Sequence, residues 1–359
     1  MKYTIVISSQ LSDLQSAKLV EQIRKLDFRA EISAVGAVCL EAEGVELIAN
    51  HGSFPENRTW PVALFDNISL VTSVKKLLRK AKPDVLIVVG LSTKSLRIAS
   101  LARKRGIKAC LIINSDMELK KSSVRNKVSR YFDRVFTATP PSKNYLEIPN
   151  ILTKYVGNPV VESIKDYQFD SQFTLNQQEV NIAVLTPMNK KELKRSAPLI
   201  EQLIAEKPEY IYHIALSNHA NGLFDRFDSF KNVRLSKSHR YEFLKHCNAA
   251  ICLSSAGTFE AGIMNCPSVL VSKGRLVSLG RWRSLINSIG GKEIVQELVG
   301  SRYNLETVLT ELHLILSDQH YCATILDEFQ RVKGLLGHEK FSKKTARIIV
   351  EWLEESGSS

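Results

Sequence analysis

The sequence predicts an α/β protein made of two Rossmann-like, doubly wound domains facing a cleft, followed by C-terminal helices. Three observations carry that prediction. Apolar runs such as Val85–Val89 (VLIVV) and Ala109–Ile113 (ACLII) lack in/out alternation, as parallel strands covered on both faces should. These runs alternate with helical stretches, the order from which a parallel sheet is built. The alternation stops after residue 158 and restarts at 181, and a chain of 359 residues is long enough for two cores.

Taken in order, Tyr3–Ser8 reads as the first strand, and Leu14–Leu26 as a helix with Ala17, Val20 and Ile23 on its apolar side. Glu31–Val38 (strand), Ser69–Lys80 (helix), Val85–Val89, Ser95–Arg105 (helix) and Ala109–Ile113 continue the pattern, and Val135–Thr139 and Thr153–Val156 end the first half. Residues 159–180, from Pro159 onward, are polar and irregular and read as a linker. The restart comprises a strand at 181–185, a helix at Glu192–Glu206, strands at Tyr210–Ala215 and Val233–Leu235, a helix at Arg240–Cys247 and a strand at Ala249–Leu253. Helices are expected at Glu293–Val299, Leu305–Leu316, His320–Leu336 and Ser342–Glu354. The expected domains are therefore 1–158 and 181–338, with a linker at 159–180 and a terminal helix and tail at 339–359. In such sheets ligands sit beyond the C-terminal strand ends.

Composition narrows the classes. No apolar run approaches the roughly 18 residues that cross a bilayer, and MKYTIVISS at the start reads as a strand rather than a signal peptide. The six cysteines are scattered without a CxxC pair, and Cys39, Cys110 and Cys252 lie in apolar runs, which suits buried thiols in a reducing, cytoplasmic setting. The net charge of +12 is concentrated, because residues 75–134 hold 17 Lys/Arg against 4 Asp/Glu. Such a surface suits an anionic membrane. Nucleic acid is not expected, since the basic stretch lacks interleaved aromatics and no known binding module appears. In LVTSVKKLLRKAKPD (70–84), Leu70, Val71, Val74, Leu77 and Leu78 share a helical side, with Lys75, Lys76, Arg79 and Lys80 beside them. His239, His246 and Cys247 share one helix without further ligands near them in sequence, so no metal is expected.

The stretch SSAGTFEAG (254–262) follows a strand and opens a helix. Two readings fit its residues. In one, Ser255 or Thr258 is an ordinary N-cap and Glu260 complements the helix dipole. In the other, helix-end amides meet a phosphate, Gly257 allows close approach, and Glu260 accepts hydrogen bonds from two ribose hydroxyls.

Longer motifs favour the second reading. SSAGTFEAGIMNCPSVLV resembles the "ASGTATLEA…PMVV" segment of glycosyltransferases of the GT-B fold, and SLINSIGGKEIVQELVG (284–300) resembles the "SLPNLIAGREIVPELLQ" signature of lipid-A-disaccharide synthases. YVGNPVVES (155–163) and KPDVLIVV (82–89) are similar to that family's "FVGHPLAD" and "KPDVFVGID", so the resemblance runs colinearly from about residue 3 to 335. It implies a GT-B enzyme of lipid A biosynthesis, in which Ser255, Gly257, Thr258 and Glu260 hold the UDP of a sugar donor and Asn287, Glu293 and Glu297 line the donor side. It also implies inverting transfer of an acylated glucosamine to a lipid-linked sugar at the inner membrane face, with neither metal nor cofactor. By register the resemblance also places Asn158 and Glu192 elsewhere in the cleft.

The departures fall on the other half of the signature. Where the family carries a "DxPDF" loop with an aspartate, this chain has GLSTKS (90–95); "GEASGD" appears as SSQLSD (8–13), "LPGSRxxE" as LTPMNKKE (185–192), and "SPSVWAW" as NSDMELK (114–120). The carboxylates left in position to act as a base are Asp13, Asp116 and Glu118. The sequence therefore also admits an impaired paralogue that binds a nucleotide-sugar or lipid, or a transferase with a different acceptor. The helices from 305 to 354 either return across the first domain or exchange between subunits in a homodimer.

Overall fold

The computed structural model describes residues 1–7, 13–36, 46–50, 71–72, 74–114, 116–140, 147–148, 150–187, 190–216, 225–273 and 281–357. The chain divides into two compact units, Met1–Glu162 with Leu336–Ser359, and Ser163–Leu335.

The first unit is built on β1 (Lys2–Ile7), β2 (Glu31–Gly36), β3 (Glu46–Asn50), β4 (Val85–Val89), β5 (Lys108–Ile113), β6 (Arg134–Thr137) and β7 (Leu152–Tyr155). Its sheet runs β3-β2-β1-β4-β5-β6-β7 with every pair parallel; Ile5 of β1 stands beside Ala34 of β2 and Ile87 of β4. Successive residues point to opposite faces. Ile5, Ile87, Cys110 and Phe136 pack with Leu19 and Ile23 of the helix Asp13–Leu26, and with Ile349 and Trp352 of the helix Phe341–Gly357. Val6, Val88, Leu111 and Val135 pack instead with Val74, Leu77 and Leu78 of the helical stretch 74–81, and with Ile98 and Ala102 of the helix Thr93–Arg103. Of the apolar side expected around 70–84, Val74, Leu77 and Leu78 are core, Val71 is half-buried and Leu70 lies outside the described residues, while Lys75, Lys76, Arg79 and Lys80 are exposed.

The terminal helix Phe341–Gly357 belongs to this first unit, so within this chain the C-terminus returns to the N-terminal core. Its entry explains the VGNP motif. Gly157 has φ +96°, and a Cβ there would lie 2.9 Å from the Glu339 carbonyl and 3.2 Å from the Phe341 amide, so only glycine lets the returning strand of chain pass. Asn158, expected in the cleft, is buried; its Nδ2 donates to the Ala138 carbonyl at 2.8 Å and its Oδ1 accepts the Val160 amide at 2.9 Å. It therefore fastens the start of the helix Pro159–Lys165. Buried Glu162, in that same helix, accepts both the amide (2.9 Å) and the hydroxyl of Ser342, placing a carboxylate at the N-terminus of the returning helix. The expectation of an irregular linker from Pro159 onward is corrected here: its first seven residues are helical, and the boundary between the units falls at Glu162/Ser163.

The second unit carries β8 (Val180–Leu185), β9 (Tyr210–Ala215), β10 (Val233–Ser236), β11 (Ala249–Cys252), β12 (Ser268–Ser272) and β13 (Glu297–Val299), in the order β10-β9-β8-β11-β12-β13 and again all parallel. Glu293–Val299 is not the expected helix. The helix Leu285–Gly290 stops first, and Glu297–Val299 pairs with Leu270–Ser272 as an edge strand.

Candidate functional site

The strand order of the second unit reverses between β8 and β11: from β8 the chain moves outward to β9 and β10, then returns to β11 on β8's other side. Such a switch point leaves a crevice at the C-terminal strand ends. The helix Ser255–Ile263 opens there, directly after β11. A Cβ on Gly257 would lie 3.3 Å from Ser254 Oγ and 3.4 Å from the Cβ atoms of Leu185 and Cys252, the last residues of β8 and β11, so the helix starts directly on the strand ends.

The N-cap is Ser254, one residue ahead of the expected Ser255 and four ahead of Thr258; its hydroxyl accepts the Gly257 amide at 3.1 Å. The Thr258 amide goes to the Ser254 carbonyl at 3.4 Å. The remaining amides of the first turn, those of Ser255 and Ala256, are the helix-end donors suited to an anion. Ser255 itself is half-buried.

Thr258 is fully buried and turns inward. Its hydroxyl donates to the Ser255 carbonyl at 2.7 Å and meets the Ser284 hydroxyl at 3.0 Å, so in that pair Ser284 is the donor. Ser284 caps the helix Leu285–Gly290 by accepting the Asn287 amide at 3.4 Å. Asn287 uses its whole amide: Nδ2 donates to the Val295 carbonyl (2.8 Å) and to Glu297 (3.0 Å), while Oδ1 accepts the amides of Ile294 (2.8 Å) and Val295 (3.0 Å). Glu297 also accepts the amides of Arg283 (3.0 Å) and Ser284 (2.8 Å). Both side chains are buried. This corrects the expectation that Asn287 lines the donor side, since a saturated, buried amide has no group left to offer; Glu297, expected beside it, is likewise buried and spent on the Arg283 and Ser284 amides and on Asn287. Glu293 is exposed, 3.9 Å from the Arg302 guanidinium.

Glu260 lies one turn into the helix and is mostly covered, with 15% of its side chain exposed. Its Oε2 accepts from Arg240 Nε at 2.7 Å and Nη2 at 2.5 Å. Burial works against the Arg240 charge, and Glu260 outweighs it and holds the guanidinium charged. Arg240 went unnoticed in the sequence. The signal was there, since a lone glutamate in an otherwise apolar helix needs a cation, and Arg240 opens the helix just before β11.

In the first unit the order reverses between β1 and β4. Asp13 opens the helix after β1, on the β1 side of that switch point. The β4 side carries 90–95, where Ser92 and Ser95 form a reciprocal capping box: the Ser95 amide donates to the Ser92 hydroxyl at 3.1 Å and the Ser92 amide to the Ser95 hydroxyl at 2.6 Å. Asp116 opens the short 3-10 turn Asp116–Leu119 after β5, and Glu118 accepts the Asn114 amide at 3.0 Å. Glu192, in the helix Lys190–Glu206, is half-buried. His219 and Asn218, in the stretch HIALSNHANG, lie outside the described residues, as do the side chains of Asp13 and Asp116.

Away from both switch points, His213 is buried in β9, where burial, with a smaller contribution from Arg234, lowers its pKa to about 4. Its Nε2 lies 2.8 Å from Asn181 Oδ1, and the amide nitrogen of Asn181 is already committed to two backbone carbonyls. The neutral ring therefore carries its proton on Nε2 and donates it. His239 meets Ser236 Oγ through Nδ1 at 3.2 Å, and both His239 and His246 lie against Phe173.

A family model described as "Lipid-A-disaccharide synthetase" matches residues 4–350. Among curated proteins, lipid-A-disaccharide synthases of Nitrosococcus oceani and Myxococcus xanthus are each 23% identical, covering 93% and 97% of this chain and 92% and 97% of their own lengths. Among solved structures, Staphylococcus aureus MnaA with UDP superposes with a TM-score of 0.70 at 14% identity, over 99% of this chain and 97% of that one. UDP-GlcNAc 2-epimerase of Neisseria meningitidis, bound to UDP-GlcNAc, gives 0.68 at 16% identity, over 99% and 100%. The calicheamicin glycosyltransferase gives 0.67 at 12% identity, over 98% of both chains.

Proposed function

The chain belongs to the lipid-A-disaccharide synthetase family and is a glycosyltransferase of the GT-B fold, and on that premise we propose that it transfers an acylated glucosamine from a UDP donor to a lipid-linked sugar. The observation that carries this reading is the Thr258–Ser284 hydrogen bond. It ties the helix opening at the β8/β11 switch point to the 284–297 network, so the two family-like motifs form one wall of one crevice.

In this reading the donor's diphosphate sits at the amides of Ser255 and Ala256, where the helix dipole stabilises the charge that develops on the leaving UDP. Glu260, held by Arg240, accepts the ribose hydroxyls. That one structural neighbour holds UDP and another UDP-GlcNAc supports a UDP-sugar as the ligand of this fold. Transfer is inverting: the acceptor hydroxyl oxygen attacks the anomeric carbon as the bond to the diphosphate oxygen breaks, UDP leaves with that electron pair, and a base takes the hydroxyl proton. Asp13 is the favoured base because it lies at the switch point of the first unit; Asp116, one strand further out, is second. No metal or cofactor enters the proposal. The acceptor reaches the protein from an anionic membrane surface through the basic 75–134 region, on the cytoplasmic side.

A second reading, a transferase with a different acceptor, is favoured by the capping box at Ser92 and Ser95, where relatives of this type carry a carboxylate loop. Calorimetric titration with UDP and UDP-GlcNAc tests the donor site. Tight UDP binding that is weakened in Glu260→Gln is expected, and wild-type protein blind to both nucleotides would sink it. Turnover of an acylated UDP-glucosamine with a diacylglucosamine 1-phosphate acceptor, lost in Asp13→Asn, separates the first reading from the second.

A further inference from the structure

A cavity of about 790 Å3 opens in the first unit at the N-terminal ends of its central strands: Met1 precedes β1, Asp84 precedes β4 and Lys108 opens β5. That is the opposite end of the sheet from its switch-point loops. The cavity wall carries Arg79, Lys82, Arg105 and Lys108. Against these four cations stands the carboxylate of Asp84, which already accepts the Lys2 amide at 2.8 Å. The Met1 ammonium is neutralised by Asp27 at 2.9 Å. Beside the cations lie Leu78, Pro83, Ile107 and Leu353, the last contributed by the returning terminal helix.

We propose that this cavity binds the phosphate headgroup of an anionic membrane lipid, with the glycerol and upper acyl carbons against the apolar wall. The volume lies within the roughly 300–1,000 Å3 of ligand sites and is far larger than an inorganic phosphate needs. Four cations with little counter-charge select an anion, and the apolar wall selects an amphiphile. Lys82 adds a separate pointer. It stands at φ +43° just past the helical stretch 74–81, a left-handed position where glycine is the unstrained choice, so the side chain is kept at a cost to the backbone. The site does not depend on the donor crevice. It deepens the membrane reading above by giving the basic region a built pocket in place of a diffuse charge.

The test is flotation of the full chain with vesicles of phosphatidylcholine alone or mixed with phosphatidylglycerol, comparing Lys82→Gln/Arg105→Gln with a charge-matched control, Lys127→Gln/Arg130→Gln, on the exposed side of the helix Ser122–Tyr131. Wild type floats with the anionic vesicles, the cavity variant partitions at least ~10-fold less, and the control loses clearly less. Lys82→Gly guards against misfolding: it removes the cation yet suits the backbone, so weaker flotation with an unchanged or higher melting temperature is a ligand effect. Equal losses in cavity variant and control overturn the pocket and leave the membrane reading standing. Wild type that ignores anionic vesicles overturns the membrane reading itself; if that protein binds glycerol 3-phosphate, the cavity takes a soluble phosphate and the lipid proposal fails.

Discussion

Glu260 and Asn287 carry the same expectation from sequence and play different parts in the fold. Glu260 is partly exposed and anchored at one oxygen by Arg240, so it has both a position and a free side to offer a ligand. Glu260→Gln keeps the side chain's size and is expected to fold while binding UDP ~10-fold or more weakly, because a charged acceptor is lost; unchanged affinity by calorimetry would remove Glu260 from the site. Glu260→Ala is a poorer probe, since it also strands Arg240 and costs about 1–2 kcal/mol of stability. Asn287 is buried with four hydrogen bonds to its amide, and Asn287→Ala is expected to cost about 3 kcal/mol in urea unfolding. A wild-type midpoint would show those bonds to be idle. His213 predicts a pH response. Its folded pKa, near 4, lies below the ordinary value near 6.5, so between those values the unfolded chain binds a proton that the folded one refuses. Stability is therefore level above pH 6.5 and declines as pH falls toward 4, by about 3 kcal/mol in full. His213→Gln should flatten that slope in denaturation curves taken across the window, and an unchanged slope would trace it to other groups.

At the scale of elements, Gly157, Asn158 and Glu162 form one device that receives the helix Phe341–Gly357. Gly157→Ala forces a left-handed alanine against a carbonyl 2.9 Å away and is expected to cost more than ~2 kcal/mol. The loss should appear first as protease cleavage in the segment 337–341, because docking of the terminal helix fails before the sheet does; cleavage at the wild-type rate would mean that the contact yields. Glu162→Gln should act more mildly than Glu162→Ala, since the amide oxygen still accepts from Ser342. The same elements show why sequence reading went astray at 159–180 and 293–299. Pro159 and the polar residues after it look like a linker when only composition is weighed, yet Pro suits the first turn of a helix and Asn158 supplies its cap. In residues 293–299 (EIVQELV) Ile294, Val295, Leu298 and Val299 recur at helical spacing, and what overrides that pattern is tertiary: Asn287 pins the amides of Ile294 and Val295 in the loop, delivering Glu297 to β12.

For the whole molecule, the two parallel sheets were legible because buried strands such as VLIVV and ACLII announce both period and burial, and because the alternation restarts after a gap. The donor-site region was legible through motifs, but the division of labour inside it was not: nothing in SLINSIGGKEIVQELVG says which polar side chains face a ligand and which face each other. That depends on saturation, which only the fold reveals. Charge is likewise divided by unit, with 29 Lys/Arg against 19 Asp/Glu in the first (net +10) and 20 against 18 in the second (net +2). Each unit has its own core, so heating is expected to give two calorimetric transitions that single changes can label. Glu162→Ala should lower only the transition of the unit holding the terminal helix, and Asn287→Ala only the other. A ligand that binds the folded form of one unit raises that unit's transition alone, by about 2.7 kcal/mol when its concentration is 100 times Kd. UDP should therefore raise the transition that Asn287→Ala lowers and leave the one lowered by Glu162→Ala in place. If UDP shifts the Glu162-sensitive transition instead, the nucleotide belongs to the first unit and the donor assignment at the β8/β11 switch point is wrong. If both move together, the units melt as one body and the nucleotide's place must be found by substitution at Glu260.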